Sequence, residues 1–423
     1  MTCLHPIVNA EAGRASFITG DVFDVLATIP DGSIDLILTS PPFLALRSYL
    51  PADHPDKHRE IGSEPDPASF LATLLALTAE WRRVLAPHGS ICVELGDTYS
   101  GSGGAGGDYG EGGIREGQGK FDGSNSRRGK IVDHDSGRRT PGAGWPLAKS
   151  LCGIPHLYHL SLAYGRNLLT GEPCEPWRVR NVVAWCRPNP PVGALGDKFR
   201  PATSYMTIAC PSGSRYFDLD AVRTPVKHPD ASHTAGSKEV DLHTDGRENR
   251  PLSNNPAGAP PLDWWEIPTT PYSGAHYAAF PPALLERPIK SMVPSKVCTV
   301  CGEPSRRIVD ADVETKAANA AKRVGPVDGR SGEFGDGHKF PHFDTPTYIT
   351  TGWTDCGHDA WRPGIVLDPF GGSGTTLSVA TGYGHHAIGI DLDPRNVALA
   401  RDRVGPMFLD EFTLDEWKNR GPS

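Results

Sequence analysis

Three clusters of residues have types and spacings that could do chemistry. In the first, Asp368-Pro369-Phe370-Gly371-Gly372-Ser373-Gly374-Thr375-Thr376, a glycine-rich turn follows an apolar run. Such a turn between a strand and a helix lets the backbone approach a ligand closely, and the helix N-terminus adds a positive dipole. The next apolar run ends in Asp391. A carboxylate at the tip of that second strand can accept hydrogen bonds from ribose hydroxyls. No Gly-x-x-x-x-Gly-Lys-Ser/Thr loop is present, so a nucleoside without a triphosphate fits better than ATP. The plainer alternative is a tight structural turn beside an acidic loop residue.

The second cluster is Thr39-Ser40-Pro41-Pro42-Phe43, which closes an apolar run abruptly. Consecutive prolines remove backbone donors and fix φ, so the carbonyls before them stand in a rigid frame. That frame can accept hydrogens from an exocyclic amine, and Phe43 offers a face on which a planar base can stack. A Pro-Pro pair is also an ordinary strand terminator. The third cluster, Cys298-Thr-Val-Cys301 with Cys356-Gly-His358, reads as a split zinc site. Two thiolates at that spacing can share one ion, and four protein ligands would make the site structural, with no position left for water. Four unliganded loop residues are the alternative.

The elements that must hold these residues read as alternating strand and helix. Residues 16–21 form a short strand ending in a Gly-Asp turn, Val22–Ile29 has helical spacing, and Ile34–Thr39 has the length and composition of a buried strand. Ala68–Leu85 is amphipathic, with Pro67 at its start and Phe70, Leu74, Leu77, Trp81 and Leu85 on one face. Pro87-His88-Gly89 ends it, and Ser90–Leu95 is the next strand. After the loop-rich middle, residues 364–368 and 387–391 are strands, and helices start near Leu377 and Pro394. The pattern predicts an α/β fold with a doubly wound, mixed but mostly parallel sheet, loop-rich insertions and a small zinc knuckle.

Composition bounds the rest. Of 423 residues, 38% are hydrophobic and 22% charged, ordinary for a globular chain, while 48 glycines and 40 prolines predict long irregular segments. Gly101 to about Trp145 is too polar and glycine-rich to order itself, and 229–260 and 311–345 look similar. Met1–Glu11 shows no signal-peptide pattern and no run reaches about 20 apolar residues, so the expected location is the cytoplasm, without a membrane. Nine cysteines, an odd count, suit a reducing compartment. The net charge of -8 argues against indiscriminate binding to polyanions. A basic run, Arg178, Arg180, Arg187, Lys198, Arg200 and Arg215, opposed only by Asp197, could be a solvated face or a DNA contact.

Taken in order, these motifs resemble the DNA amino-methyltransferases in their permuted, beta-type arrangement, where a Ser/Asp/Asn-Pro-Pro-aromatic motif precedes the Phe-x-Gly-x-Gly cofactor motif. Val182–Trp185 with Arg187-Pro-Asn-Pro190, Ser214–Asp218, and His276-Tyr-Ala-Ala-Phe280-Pro281 are similar to further segments of that family. The resemblance covers roughly 1–100, 176–225 and 261–410. It implies a Rossmann-like fold, S-adenosylmethionine as cofactor and a flipped base in duplex DNA as substrate. It also implies catalytic Ser40, Pro41, Pro42 and Phe43. The implied cofactor contacts are Asp21, His276, Phe280, Asp368, Pro369, Phe370, Gly372, Gly374, Thr375 and Asp391.

The implied organisation is a catalytic half at 1–100, a glycine-rich flexible insertion at 101–175, and remaining strands with target recognition at 176–275. A pre-cofactor helix follows at 276–297, a knuckle insertion at 298–360 and the cofactor half at 361–423. Ser-Pro-Pro-Phe resembles the cytosine-N4 branch more than the adenine-N6 branch, and a restriction endonuclease partner and a monomer or weak dimer are in keeping with such enzymes. Pro173-Cys174-Glu175 departs from the nucleophile motif of ring-carbon methylation. An inactive DNA-binding module would leave both motifs without a purpose, and a nicotinamide oxidoreductase would leave the Pro-Pro-Phe corner unexplained.

Overall fold

Apolar runs become the strands of one sheet because both faces of that sheet are covered, and strands buried on both faces need no polar alternation. The computed structural model describes residues 13–46, 49–50, 53–101, 142–190, 197–224, 258–269, 281–311 and 348–420. These fall into two compact units.

The first unit is Met1–Phe217, Leu262–Pro304 and His358–Ser423. Its strands are β1 (Ala15–Thr19), β2 (Ile34–Thr39), β3 (Leu85–Leu95), β4 (Arg178–Cys186), β5 (Thr203–Cys210) and β6 (Trp264–Glu266), then β7 (Val297–Cys298). The second unit supplies β8 (Arg307–Ala311) and β9 (Tyr348–Trp353), and the first resumes with β10 (Trp361–Arg362), β11 (Ile365–Asp368), β12 (His386–Asp391) and β13 (Leu409–Thr413). Nine of them form a sheet in the order β13-β1-β12-β11-β2-β3-β5-β4-β6. The run from β13 to β3 is parallel, β5 is antiparallel to both β3 and β4, and β6 is parallel to β4. The expected mixed, mostly parallel sheet is therefore present.

The helices are α1 (Val22–Leu26), α2 (Pro67–Val84), α3 (Ile154–Tyr164), α4 (Pro282–Met292), α5 (Thr375–Gly382), α6 (Asn396–Val404) and α7 (Leu414–Asn419). One face of the sheet packs Ile18, Ile37 and Ile91 with Phe70, Leu74, Trp81, Tyr158 and Trp417. The other packs Phe17, Leu36 and Leu38 with Leu284, Leu285, Ile289, Leu377 and Ala400. The alternation Leu36, Ile37, Leu38 along β2 thus feeds both cores, each such side chain contributing about 1.5–3 kcal/mol. From β11 the chain crosses through α5 to β12 on one side, and from β2 through α2 to β3 on the other. The winding therefore reverses between the neighbours β11 and β2, where ligands bind in open α/β sheets.

Three local readings shift. Helix α2 spans Pro67–Val84, with Asp66 as N-cap accepting from the Ser69 amide at 2.8 Å. Strand β3 starts at Leu85, not Ser90, because the chain leaves the helix directly into the sheet. Pro87 cannot donate to the ladder, and the β2–β3 register shifts between Ile34 and Leu36 rather than ending there. Residues 102–141 of the expected insertion lie outside the described residues, as do 229–257 and 312–345 of the other two loose stretches. The remainder of 101–175 builds α3. The Asp97 carboxylate accepts from the Gly153 and Ile154 amides (2.9–3.3 Å) at its N-terminus, and Tyr158 bonds Thr78 of α2 through its hydroxyl at 2.8 Å. The spacing Ile154, Tyr158, Leu162 was the available signal.

The second unit, Asp218–Pro261 and Ser305–Gly357, holds the antiparallel pair β8/β9. Arg307 there clamps Asp218 with two bonds of 2.9 and 2.7 Å and stacks on Trp353 at 4.7 Å. Among the described residues no helix is long and apolar enough to cross a membrane.

Candidate active site

The candidate site residues of the two nucleoside-directed motifs follow the carboxyl ends of four adjacent parallel strands. Asp21 follows β1, Asp391 ends β12, Asp368 ends β11, and Ser40 follows β2. Hydrogen bonds chain these tips together. The Gly20 amide donates to the Asp391 carbonyl at 2.9 Å, Gly371 to the Ile390 carbonyl at 2.7 Å, and Gly372 to the Asp391 carboxylate at 2.8 Å. Thr39 Oγ1 donates to Asp368 Oδ1 at 2.6 Å, closing the step across the winding reversal.

Asp368 is 2% exposed, and its oxygens also accept from Thr376 Oγ1 at 2.6 Å and the Phe370 amide at 3.1 Å. Burial pushes its carboxyl up, against the pull of these donors. Its carboxylate braces the glycine turn against the Ser-Pro-Pro-Phe strand. Thr375 likewise accepts from the Arg403 guanidinium. Gly374, at φ 74, caps α5, and a Cβ there would sit 2.9 Å from the Ala400 methyl, so this glycine serves helix packing. Pro369 is buried and Phe370 half-buried at the head of the turn. Gly372 has φ 48, a left-handed conformation that suits glycine and turns its amide to Asp391. Asp21 caps α1, accepting from the Phe23 and Asp24 amides at 3.0 and 3.3 Å, with Arg59 at 3.5 Å.

Asp391 is only partly buried, and its carboxylate accepts from the Gly372 and Asp393 amides, each at 2.8 Å. Burial, aided by the neighbouring Asp393 charge, raises its carboxyl to about 6 despite those amides and the Asn396 side chain. His276 and Phe280 lie outside the described residues.

At the other corner, Ser40 Oγ donates to Glu94 Oε2 at 2.6 Å. Glu94, the single acid in the apolar run of β3, is 4% exposed and takes a second hydroxyl bond from Ser204 of β5. Burial pushes its carboxyl up, while Ser204, Ser40 and the Arg187 charge pull it down without cancelling the rise. Sequence reading missed Glu94; an acid alternating with Cys92, Val93 and Leu95 at a strand tip was the signal. Phe43 packs against Gly96, where a Cβ would lie 2.5 Å from Phe43 Cε2, so only glycine leaves the ring in place. The Gly62 carbonyl accepts from the Ala45 amide at 2.8 Å and steadies the loop after Phe43.

In the basic run, Arg178, Arg180, Lys198 and Arg200 are exposed. Arg187 and Arg215 are not free for solvent, since they stack on Trp185 and Phe217 at 4.9 and 4.4 Å.

The knuckle residues Cys298, Cys301 and His358 sit in the first unit, where β7 pairs with β10. Their ligand atoms lie within 4.8 Å of one another, with Cys298 Sγ 3.6 Å from His358 Nδ1. Around a tetrahedral zinc, with bonds of about 2.3 Å to sulfur and about 2.0 Å to nitrogen, those atoms would stand about 3.6 Å apart. The donor set fits such an ion. Cys356 precedes His358 by two positions, in the closing segment of the second unit.

The N6/N4 DNA methylase family matches residues 34–297 and 362–402, and the chain belongs to that family. The type II methyltransferase M.Cfr9I of Citrobacter freundii is 28% identical over 282 residues, 67% of this chain and 74% of that one. M.XycI of Xanthomonas campestris pv. cyanopsidis is 25% identical over 92% of this chain and 87% of its own. The solved PvuII DNA methyltransferase (cytosine-N4-specific) covers 97% of this chain and 98% of its own at 12% identity, with a TM-score of 0.46.

Proposed function

We propose that the chain transfers a methyl group from S-adenosylmethionine to the N4 amine of a flipped-out cytosine in duplex DNA. The observation that carries this reading is the Thr39–Asp368 bond, which sets the amine-binding corner beside the glycine turn. The donor set fits the cofactor, with Asp391 as hydroxyl acceptor and the Gly371–Gly374 turn beside it. Bound there, S-adenosylmethionine supplies an electrophilic methyl group on a sulfonium sulfur.

The chain's own residues then have three tasks. The amine is a poor nucleophile because its lone pair is delocalised into the ring. Ser40 has a single hydroxyl proton and gives it to Glu94, so Oγ faces the amine purely as an acceptor. Together with the Ser40 and Pro41 carbonyls it draws on the amine hydrogens and frees the lone pair. Phe43 stacks the base, and in-line placement supplies several kcal/mol of the barrier. Once methylated, the nitrogen loses one proton to Ser40 Oγ as Ser40 passes its own to Glu94, whose buried carboxylate is a ready acceptor.

Cytosine over adenine rests on the likeness of Ser40-Pro-Pro-Phe43 to the cytosine-N4 branch. The type II relatives support a cognate restriction endonuclease, and Cys298, Cys301, Cys356 and His358 as ligands of one structural zinc complete the reading. Purified protein, labelled S-adenosylmethionine and duplex DNA, followed by nucleoside mass spectrometry, should give N4-methylcytosine. N6-methyladenine would reverse the choice of base, and 5-methylcytosine or no transfer would overturn the mechanism.

A further inference from the structure

The Ser40–Glu94 pair does not stand alone. Ser204, 1% exposed on β5, bonds Glu94 through its hydroxyl, and Arg187 Nη1 donates to Ser204 Oγ at 3.1 Å. Strand register explains the convergence. Glu94 and Leu95 of β3 pair with Met206 and Tyr205 of β5, while Ser204 and Thr203 pair with Trp185 and Cys186 of β4. Arg187 follows Cys186 directly. Its amide donates to the Ala202 carbonyl at 2.8 Å and its guanidinium lies over the Trp185 ring at 4.9 Å. Both ends of the side chain are therefore fixed, and a charge that belongs in water is held over an indole beside a buried acid.

We infer that Arg187 is a positioning residue for methyl transfer, acting through Ser204 to hold Glu94 ionised and aimed at the Ser40 hydroxyl. The inference rests on the methyltransferase reading above and adds to it a residue that touches neither base nor cofactor. A buried carboxylate without a cation favours its neutral form, and a protonated Glu94 could not take the proton that Ser40 must pass on. An arginine suits this task because it stays protonated even when partly desolvated. The groups facing Glu94 are few: Ser40 from the tip of β2, Ser204 on β5 and Arg187 after β4. On its own strand Cys92 is the other titratable neighbour, with burial keeping its thiol protonated. Among the described residues, Arg187 is the charge of opposite sign acting on Glu94.

The test is the pH profile of kcat, measured with duplex DNA and S-adenosylmethionine on the full chain. Arg187→Gln should move the acid limb upward by about one pH unit. That is about a tenfold loss at a pH on the wild-type limb, with the rate returning at high pH. Ser204→Ala, which removes the bridge and keeps the charge, should shift the limb less, and Arg187→Lys should restore most of it. KM for DNA should stay within about twofold throughout. A lower kcat at every pH with an unmoved limb would overturn the inference, as would a raised KM for DNA with a normal limb, which would make Arg187 a phosphate contact. Should Arg187→Gln fail to fold, Ser204→Ala decides on the same criterion. Wild-type protein without any methyl transfer would instead defeat the parent reading.

Discussion

Thr39 Oγ1 and Asp368 Oδ1 stand 2.6 Å apart although 329 positions separate them in the chain. The bond locks the Ser40-Pro41-Pro42-Phe43 corner to the Asp368–Thr376 glycine turn where the sheet reverses its winding between β11 and β2. Thr39→Val keeps the side-chain volume and removes the donor, leaving a buried carboxylate one partner short. The expected cost is about 1–3 kcal/mol of stability. Methyl transfer should fall further than cofactor affinity, because the two corners would lose their mutual alignment. Thermal melts and steady-state kinetics check both, and a variant of wild-type stability and rate would show the bond to be idle.

Ser40→Ala removes the hydroxyl proposed to face the amine and strands Glu94 with Ser204. A fall in kcat of at least about a hundredfold is expected, in the usual range for loss of a positioned proton-transfer group. Calorimetric binding of S-adenosylmethionine should not change. Full activity in this variant would remove Ser40 from the mechanism.

Gly96→Ala probes Phe43 without touching it. Its new methyl would overlap the ring edge, so the ring must turn away from the position it now holds. Overpacking of this kind costs about 1–3 kcal/mol. Affinity for DNA carrying a mismatched, already loosened target base should suffer along with affinity for paired DNA, since stacking and not extrusion is impaired. Unchanged binding of both would mean that the ring does not receive the base.

Asp391 gives a pH dependence with a definite sign. Its folded carboxyl titrates at about 6, above the ordinary Asp value near 3.9. The folded chain thus holds this proton more tightly than the unfolded chain, so the group favours folding in acid and loses that advantage as pH rises from about 4 to about 6. On the proposed reading cofactor binding runs the other way, because ribose hydroxyls need the ionised acceptor. The dissociation constant for S-adenosylmethionine should rise about tenfold from pH 7 to pH 5. Calorimetry in buffers of different ionisation enthalpy should detect proton release near pH 6. Asp391→Asn should bind more weakly and without that slope.

Much of this was legible in the sequence. Parallel, doubly covered strands announce themselves as apolar runs, and two punctuated runs, Ile34–Thr39 and Ile365–Asp368, carry the proposed site at their ends. Those two motifs could be found because proline and glycine mark backbone geometry locally. The convergence of Glu94, Ser204 and Arg187 could not, because it depends on the antiparallel placement of β5 between β3 and β4. Asp368 was legible as important but not as a brace, since its partner Thr39 lies in the opposite half of the chain. Helix α3 hid behind the composition of its surroundings.

The knuckle makes a separate prediction. Metal analysis should find one zinc per chain, and Cys298→Ser should abolish it. Because β10 carries Arg362 into an ion pair with buried Asp35 (2.6 Å), loss of the metal should also lower the melting temperature of the sheet. Burial pushes the Asp35 carboxyl up, but Arg362 and His88 together hold it at about 2, so the pair contributes stability above about pH 4 that is lost as pH falls toward 2. Metal-free protein with wild-type stability would argue against a structural ion.

Strand β1 has a consequence for how the molecule comes into being. Ala15 is hydrogen-bonded in the sheet between Ala387 and Leu409, so the earliest of the described strands is completed on both sides only by two of the latest. On the ribosome it must wait for those partners on the order of tens of seconds. A nascent chain arrested before β12 would display the Ser-Pro-Pro-Phe corner with no second half to meet it. Catalytic competence should therefore appear all at once, when β12 and β13 join β1, and partial products should be inert toward the genome that encodes them.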